Sequence, residues 1–303
     1  MTTQMDEVRE KRTLWEVLTS EKYYPWLLVS PLLLTLVVFM LYPMFHCLYY
    51  STQWYVPGQE NRFVGLQNFQ KVLTQAEFWS SLGVNLYVIV VCIIIEIVLG
   101  MAIALLWSRQ FRGENLVRAL CLLPLLISPL VMSMIWAFIL QYDIGPVNQL
   151  LQHVGLPQLT WLTPKWALFA ISLITSWQWL PFSIFVLFAG LRGLPKDVFE
   201  AAKVDGATPW YTFRRITLPS LMPLVLIIIL LRTMWLIRLF DPLYGTTRGG
   251  AGTQSLDWVV FRNSFAYFDM GIGSTMALIS LFLTIILCSI LFRYLMKALG
   301  AIK

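Results

Sequence analysis

The polar stretch EAAKVDGATPWYTFRRITLP, residues 200–219, lies between two long apolar runs. Its local signals predict two short helices. Pro195 can begin the first helix, and Gly206 can end it by adopting the left-handed conformation that is common just after a helix. The Thr208-Pro209 pair is typical of an N-cap followed by a first helical position. A second helix is therefore expected over about 209–216, before Pro219 and Pro223 mark the beginning of the next apolar run.

The composition places this chain in a membrane. Of its 303 residues, 58% are hydrophobic and only 13% are charged, whereas a soluble domain carries about 25% charged residues. A larger core does not remove this shortfall, because a soluble protein must still cover its surface with polar groups. The sequence therefore predicts an all-α membrane protein. Its net charge of +6 bears on loop orientation and does not point to nucleic acid as a partner.

Six apolar segments are long enough to cross the bilayer. A helix needs about 20 apolar residues to span the hydrocarbon core. Within lipid each backbone amide must be bonded inside its own segment, which selects helices over open strands. The expected spans are 25–48, 83–107, 119–140, 166–190, 221–240 and 273–292. Local kinks are expected at the prolines inside them, which are Pro31, Pro43, Pro124, Pro129 and Pro181.

The distribution of Lys and Arg orients these spans. If both termini are cytoplasmic, the inner stretches hold 15 basic residues and the outer stretches hold 5. The inner stretches are 1–24, 108–118, 191–218 and 293–303, and the outer ones are 49–82, 141–165 and 241–272. The positive-inside rule favours this arrangement. The loop at 200–219 is therefore predicted to face the cytoplasm.

The predicted organisation is one membrane domain with two tails. Its parts are a cytoplasmic N-terminal tail at 1–24, a six-helix domain at 25–295 that includes the polar loop at 192–219, and a cytoplasmic C-terminal tail at 296–303. Two interpretations of 5–22 stay open, a short interfacial helix or a solvated tail. The outer segment 51–81 is long enough to fold as a small cap.

The positions of the cysteines and histidines indicate that the chain has neither a disulfide framework nor a metal site. Cys47, Cys92, Cys121 and Cys288 all lie inside apolar runs and lack metal-ligand spacing. The chain has only two histidines, and they are far apart in sequence.

The polar loop has the composition of a docking surface. Ala201 and Ala202 leave little bulk above the backbone, so that another protein can pack closely. Phe199, Trp210 and Phe213 supply apolar anchors inside a charged rim. The alternative is an amphipathic loop on the membrane surface, and composition alone does not decide between the two.

The loop resembles the signature cytoplasmic loop of permease subunits of binding-protein-dependent ABC importers. That signature sets E-A-A, a glycine and I-x-L-P at fixed spacing. The matching positions are Glu200, Ala201, Ala202, Gly206, Ile216, Leu218 and Pro219, with the commonly associated Asp205, Ala207 and Phe213. Four more stretches resemble the carbohydrate-importing branch, which includes maltose, trehalose and glycerol-3-phosphate permeases. They are FVGLQNF at 63–69, RALCLLPLLISPLV at 118–131, FAGLRGLPKDVFEAA at 188–202 and LIRLFDPLY at 236–244.

This resemblance, which covers about residues 25–295, implies a type I ABC importer permease in the inner or plasma membrane of a prokaryote. It implies that the helix near Glu200 docks on a dimer of separate ATP-binding subunits, which would hold ATP and Mg²⁺. No G-x-x-x-x-G-K-[ST] loop occurs in the chain, so it is expected to be a permease and not itself an enzyme. The other implied partners are a second, similar permease, an extracytoplasmic solute-binding protein, a saccharide and membrane lipid.

One departure from the family pattern concerns the loop after the fifth span. The family often has Thr-x-Gly-Gly-Pro there, whereas Thr247-Arg248-Gly249-Gly250 is followed by Ala251 in this chain. The shape of the outer gate is therefore left open by the resemblance.

The fourth span carries candidate substrate contacts. Polar groups at membrane depth are costly and usually face a cavity or a partner. Thr175, Gln178, Trp179 and Phe182 share one helical face at i, i+3, i+4 and i+7. Aromatic rings and amides suit sugars, whose apolar C–H faces are edged by hydroxyls. For each residue, packing between helices is the alternative.

The fifth span adds Arg232, Trp235, Arg238 and Asp241 as candidates. Arg238 and Asp241 are three residues apart and can form an internal ion pair. Family members often carry Arg and Asp at these places, and this resemblance favours a structural or gating role. Two arginines would instead suit an anionic substrate. Glu96 is the lone acid of the second span, and we favour pairing with another helix over proton coupling.

The sequence as a whole predicts a subunit of an ATP-driven importer for a carbohydrate, whether an oligosaccharide, a sugar acid or a sugar phosphate. An ATP-independent secondary transporter or channel is the alternative, but it leaves the docking signature unexplained. An intramembrane enzyme is disfavoured, because neither H-E-x-x-H nor G-x-S-x-G is present.

Overall fold

The structure, a computed structural model, describes residues 24–109 and 111–300. Its helices are α1 (Tyr24–Leu36), α2 (Tyr42–Ser51), α3 (Gln67–Thr74), α4 (Ala76–Trp107), α5 (Glu114–Cys121), α6 (Leu123–Leu126), α7 (Pro129–Ile139), α8 (Pro146–His153), α9 (Ala167–Arg192), α10 (Lys196–Val204), α11 (Pro209–Thr212), α12 (Leu218–Ile237), α13 (Asp241–Tyr244), α14 (Leu256–Phe261) and α15 (Met270–Ala298). Two short strands, β1 (Gln53–Trp54) and β2 (Arg62–Phe63), pair antiparallel. The interfacial helix considered for 5–22 lies outside the described residues.

Five continuous helical segments are long and apolar enough to cross a membrane. We name them by their order in the chain: the first span is Tyr24–Ser51, the second Ala76–Trp107, the fourth Ala167–Arg192, the fifth Pro209–Ile237 and the sixth Met270–Ala298. The third span is a pair of helices, Glu114–Leu126 and Pro129–Ile139, bent by 100°. The all-α membrane fold is confirmed, with up to six spans in the part of the chain that the structure describes.

The bend in the third span corrects the expectation of one helix over 119–140. Ile127 and Ser128 have extended backbone, with ψ of 135° and 133°. A residue that precedes proline is disfavoured in the helical region, and Ser128 precedes Pro129. Gln178 of the fourth span donates a hydrogen bond of 2.8 Å to the carbonyl of Ile127, so a carbonyl at the bend has a partner.

The fifth span begins earlier than the sequence predicts. The helix expected to end near Ile216 instead continues through a π-helical turn at Phe213–Thr217 directly into α12. The wider π turn precedes Pro219, whose missing N–H and bulky ring would otherwise break the helix. The loop and the fifth span therefore form one helical segment from Pro209 to Ile237.

The second, fourth and fifth spans pack closely around small residues. A Cβ added to Gly100 of the second span would lie 3.2 Å from Cβ of Ser183 in the fourth. A Cβ added to Gly190 would lie 2.8 Å from Cδ2 of Leu221 in the fifth. The first span differs, because α1 has no buried residue and the C-terminal part of the span, α2, packs on the sixth span.

The segment at 51–81 folds as a small cap, as its length predicts. The side-chain amide of Asn68 donates hydrogen bonds to the carbonyls of Ser51, at 3.0 Å, and Gln53, at 2.8 Å. These bonds attach α3 to β1 and to the C-terminal end of the first span.

Asn85 joins three segments near the C-terminal end of the fifth span. Its Nδ2 donates to the carbonyls of Leu236, at 3.1 Å, and Ile237, at 2.9 Å. Its Oδ1 accepts a hydrogen bond of 2.9 Å from the backbone N–H of Leu256. The side chain is 1% exposed, so these backbone groups have no access to bulk water and depend on Asn85.

We expect Asn85→Leu to destabilise the protein by about 3 kcal/mol, because it leaves several buried backbone groups without partners. The measurement is the thermal unfolding midpoint of the purified protein in detergent, followed with a thiol-reactive dye that reports exposure of the buried Cys92. Asn263→Leu is the control, since Asn263 donates one side-chain hydrogen bond, to the carbonyl of Val259. Equal midpoints for the two variants would contradict the role given to Asn85.

Candidate functional site

The polar loop is built from local backbone signals. At the end of α10, Gly206 has φ of +73°, and its N–H donates to the carbonyl of Lys203 at 3.1 Å. The N–H of Ala207 donates to the carbonyl of Ala202 at 2.9 Å. This pair of bonds is a Schellman motif, which requires the left-handed residue that glycine supplies. The predicted end of the first helix is confirmed.

The second helix of the loop begins as predicted. The side-chain oxygen of Thr208 accepts a hydrogen bond of 3.3 Å from the N–H of Tyr211. Pro209 takes the first helical position, where its missing N–H costs nothing. The end of the first helix and the beginning of the second are thus set by residues within the quoted stretch.

The signature residues divide into an exposed group and an inner group. The exposed ones are Glu200, Ala201, Asp205, Gly206 and Pro219. The inner ones are Ala202, Ala207, Phe213, Ile216 and Leu218, all buried or half-buried. Phe213 and Leu218 pack against the core that contains Leu187 and Leu221. The inner group therefore anchors the loop, and the exposed group is presented to solvent together with the 67% exposed Trp210.

A buried ion pair joins the second and fifth spans. Nε of Arg232 donates to Oε2 of Glu96 at 2.6 Å, and Nη2 donates to Oε1 at 2.7 Å. Arg232 is 1% exposed and Glu96 is 0% exposed. The two parallel bonds use the planar fork of the guanidinium, a geometry that lysine cannot reproduce.

Aromatic rings extend this ion pair toward the surface. The guanidinium carbon of Arg232 lies 4.8 Å from the ring centroid of Trp179, within the range of a cation–π interaction. The centroid of Trp179 lies 5.1 Å from that of Trp235 and 6.3 Å from that of Phe182. Trp235 is 60% exposed. The structure thus brings together Trp179, Phe182, Arg232 and Trp235, four of the eight candidate substrate residues.

Thr175 and Gln178 are buried, unlike the exposed Trp235. They are 4% and 3% exposed, and their side chains bond to backbone carbonyls. The hydroxyl of Thr175 donates to Ile171 at 2.8 Å, and the amide of Gln178 donates to Ile127 in the bent third span. Both side chains contribute to helix packing in this structure, and their contact with substrate stays a prediction.

The ion pair considered between Arg238 and Asp241 is not formed, since the ion pairs within 24–109 and 111–300 involve other residues. The physical reason is that the helix ends at Ile237 and Arg238 has φ of −91° and ψ of 44°. Helical spacing therefore does not bring the two side chains together. Burial raises the pKa of the Asp257 carboxyl above its usual range, and the positive charge of Arg238 partly opposes this shift.

The loop after the fifth span has a backbone that proline would not allow. Ala251, at the position where the family often has proline, has φ of +55°, whereas a proline ring holds φ near −65°. Arg248 also has a positive φ, of 51°. This loop therefore cannot have the same backbone as a Thr-x-Gly-Gly-Pro loop.

A cavity of about 300 Å³ lies between the second, third and fourth spans. It is lined mainly by apolar side chains such as Leu99, Trp136 and Trp177, together with the hydroxyl-bearing Ser176. A sugar needs several polar groups for its hydroxyls, so this cavity lacks the chemistry of a sugar site. We place the candidate substrate surface at Trp179 and Trp235 instead.

The sequence analysis did not identify the pairing of Glu96 with Arg232 or the role of Asn85. It identified Glu96 as a buried acid and Arg232 as a substrate candidate, but it did not join them. Both are charges inside apolar spans and therefore need partners, which is the signal that could have linked them. Asn85 was not singled out, although it is a polar residue within an apolar run.

Comparisons with known proteins agree with the family resemblance and with the fold. Residues 96–300 match the family described as binding-protein-dependent transport system inner membrane component. The trehalose/maltose transport system permease protein MalF of Thermococcus litoralis is 34% identical over 266 residues, which cover 86% of this chain and 89% of that protein. The trehalose transport system permease protein SugA of Mycobacterium tuberculosis is 32% identical, with 86% and 84% covered.

The fold also has a solved counterpart. A chain of the bacterial alginate ABC transporter, crystallised with an alginate pentasaccharide-bound periplasmic protein, superposes with a TM-score of 0.78 at 18% identity. The match covers 92% of this chain and 95% of that one. At this identity it supports the fold alone. With the family match, these observations place the protein: the chain belongs to the binding-protein-dependent transport system inner membrane components, the permease subunits of ABC importers.

Proposed function

We propose that this permease imports a carbohydrate and is driven by separate ATP-binding subunits that dock on the loop at 192–219. The observation that carries the proposal is the exposed face of that loop, where Glu200, Ala201 and Gly206 point away from the rest of the chain. No atom lies within 4 Å of a Cβ added to Gly206. Small residues and a negative charge on an open helix end suit close packing against a basic cleft of another protein.

The helical geometry supports a route from the docked loop to the substrate surface. Pro209 to Ile237 is one helical segment, so a rotation of the loop would move the fifth span as a body. That span carries Arg232 and Trp235. When the dimer of ATP-binding subunits closes, the movement of the docked loop would thereby be transmitted to the aromatic surface at membrane depth. ATP and Mg²⁺ would be held by those partner subunits.

The remaining partners follow from the same proposal. One chain of this size cannot enclose a two-fold pathway, so a second, similar permease would complete it, and an extracytoplasmic solute-binding protein would deliver the substrate. Both termini would be cytoplasmic, as the Lys and Arg distribution favours. The first span supports a membrane or partner contact, since Tyr24–Leu36 has no buried residue.

A carbohydrate is supported as the substrate class by chemistry and by similarity. Trp179 and Trp235 offer apolar ring faces that suit the C–H faces of sugars. The relatives that are at least 30% identical include proteins named for trehalose, maltose and starch degradation products.

Substrate-stimulated ATP hydrolysis by the reconstituted complex tests this function. We expect a saccharide in a panel of maltose, trehalose, maltotriose and a uronic acid oligosaccharide, supplied with the binding protein, to stimulate hydrolysis and to be taken up only with ATP. Uptake that is independent of ATP would favour a secondary transporter or channel. No stimulation by any saccharide in the panel would contradict the carbohydrate assignment.

A further inference from the structure

Three spans meet at Arg232, which lies between an acid and an aromatic ring. Glu96 of the second span occupies the Nε and Nη2 edge of the guanidinium through two hydrogen bonds. The guanidinium carbon lies over the ring of Trp179 in the fourth span, 4.8 Å from the ring centroid. A guanidinium held along one edge by two hydrogen bonds has a fixed position, and so it favours one position of the aromatic ring in contact with it.

The ion pair also determines the charge beneath the aromatic surface. With both carboxylate oxygens bonded to one guanidinium, Glu96 and Arg232 together carry no net charge. Arg232 is 1% exposed, so its guanidinium is not available to bind an anion directly. The surface formed by Trp179 and Trp235 therefore lies beside an ion pair with no net charge, even though Arg232 contacts Trp179.

We propose that Glu96 is a positioning residue for the substrate surface, because it acts through Arg232 to fix the ring of Trp179 beside Trp235 and keeps that surface neutral. The inference rests on the proposed function, which makes these rings the contact for a sugar. It deepens that function by favouring neutral sugar rings over rings that bear a carboxylate or phosphate at this depth.

The position of Trp179 can be measured without any substrate. The protein would be labelled with 5-fluorotryptophan, purified in nanodiscs and studied by ¹⁹F NMR, with the signals of two of its 13 tryptophans assigned through Trp179→Phe and Trp235→Phe. In Glu96→Gln we expect the Trp179 and Trp235 signals to shift or broaden. A signal outside the cluster, such as that of Trp258, should stay in place.

Glu77→Gln is the matched control, because Glu77 forms an ion pair of the same 2.6 Å length with Arg262 on the outer side. It should leave the Trp179 signal unchanged. If Glu96→Gln unfolds the protein, the ¹⁹F signals of all tryptophans will shift. In that case the Trp179 signal is measured in Arg232→Lys instead. This variant keeps the charge but loses the planar fork, so the Trp179 signal should shift. An unchanged signal in both variants would overturn the positioning role.

A charge swap separates positioning from simple charge balance. Glu96→Arg combined with Arg232→Glu restores two opposite charges but places a carboxylate beside Trp179, where the negative ring face repels it. We expect the Trp179 signal to stay displaced in this double variant. Its return to the wild-type position would mean that charge balance alone is required, and the proposal would fail.

Transport specificity provides a second, independent readout. In Glu96→Gln we expect stimulation of ATP hydrolysis by maltose to fall about thirtyfold, the size of a lost desolvated cation–π contact of about 2 kcal/mol. Stimulation by maltobionate, the carboxylate-bearing counterpart, should fall less, because Arg232 then carries an uncompensated charge. If neither sugar stimulates the wild type, the proposed function fails for these sugars, and the NMR result still decides the positioning role.

Discussion

Replacing Arg232 by methionine is expected to destabilise the protein by about 3–5 kcal/mol, the usual cost of leaving one partner of a buried ion pair unpaired. Glu96 is 0% exposed and both of its oxygens bond to Arg232. Methionine fills much of the same space but supplies no donor. The measurement is the thermal unfolding midpoint of the purified protein in one fixed detergent.

Two further variants make this result specific to the buried pair. Arg262→Met breaks the Arg262–Glu77 pair, whose side chains are 19% and 36% exposed, and should cost only about 0–1 kcal/mol. Glu96→Leu combined with Arg232→Met removes both charges and should recover most of the lost stability. If Arg232→Met unfolds at the same temperature as Arg262→Met, the desolvation argument for the Glu96 pair is wrong.

Replacing Gly206 by aspartate is expected to abolish ATP-dependent uptake while the protein still folds. A non-glycine residue at φ of +73° costs about 1–2 kcal/mol, and the space around Gly206 is open within this chain. The functional loss would therefore arise outside the chain, where the added carboxylate blocks the close approach of the ATP-binding subunit. Uptake into proteoliposomes and co-purification of that subunit are the measurements, and we expect at least a tenfold decrease in uptake, or about 1.4 kcal/mol.

Gly113→Asp is the matched control for this prediction. Gly113 also has a positive φ, of 81°, and no atom within 4 Å of an added Cβ, but it lies outside the signature. Backbone strain is the same in both variants, so Gly113→Asp should keep most of the uptake. A Gly206→Asp protein with normal uptake would show that residues 200–219 are an ordinary surface loop.

Local signals explain why the polar loop could be predicted well. The left-handed Gly206, the capping Thr208 and the first-turn Pro209 act through neighbours within a few residues, and all three have the expected roles. The bend of the third span is local as well, because Pro129 restricts Ser128. Its angle of 100° is not local, since it depends on how the helices pack, and the sequence predicted one continuous span.

Helix ends were harder to predict where a local break signal was overridden. Pro219 and Pro223 indicate a break, yet the π turn at Phe213–Thr217 lets the helix continue. At the other end of this span, termination at Ile237 leaves Arg238 outside helical geometry. This difference removed the ion pair considered for Arg238 and Asp241, because the i,i+3 rule holds only within a helix.

The sequence by itself determined the membrane class, the approximate spans, the two-helix polar loop and the family resemblance, because hydrophobic length, caps and fixed motif spacing all act along the chain. Only the tertiary structure decided which charges and rings meet. Glu96 and Arg232 are 136 residues apart, and helical periodicity indicates the face of a residue but not the helix that faces it. For that reason Arg232, a substrate candidate in the sequence, is in the folded protein the partner of Glu96 and the support of Trp179.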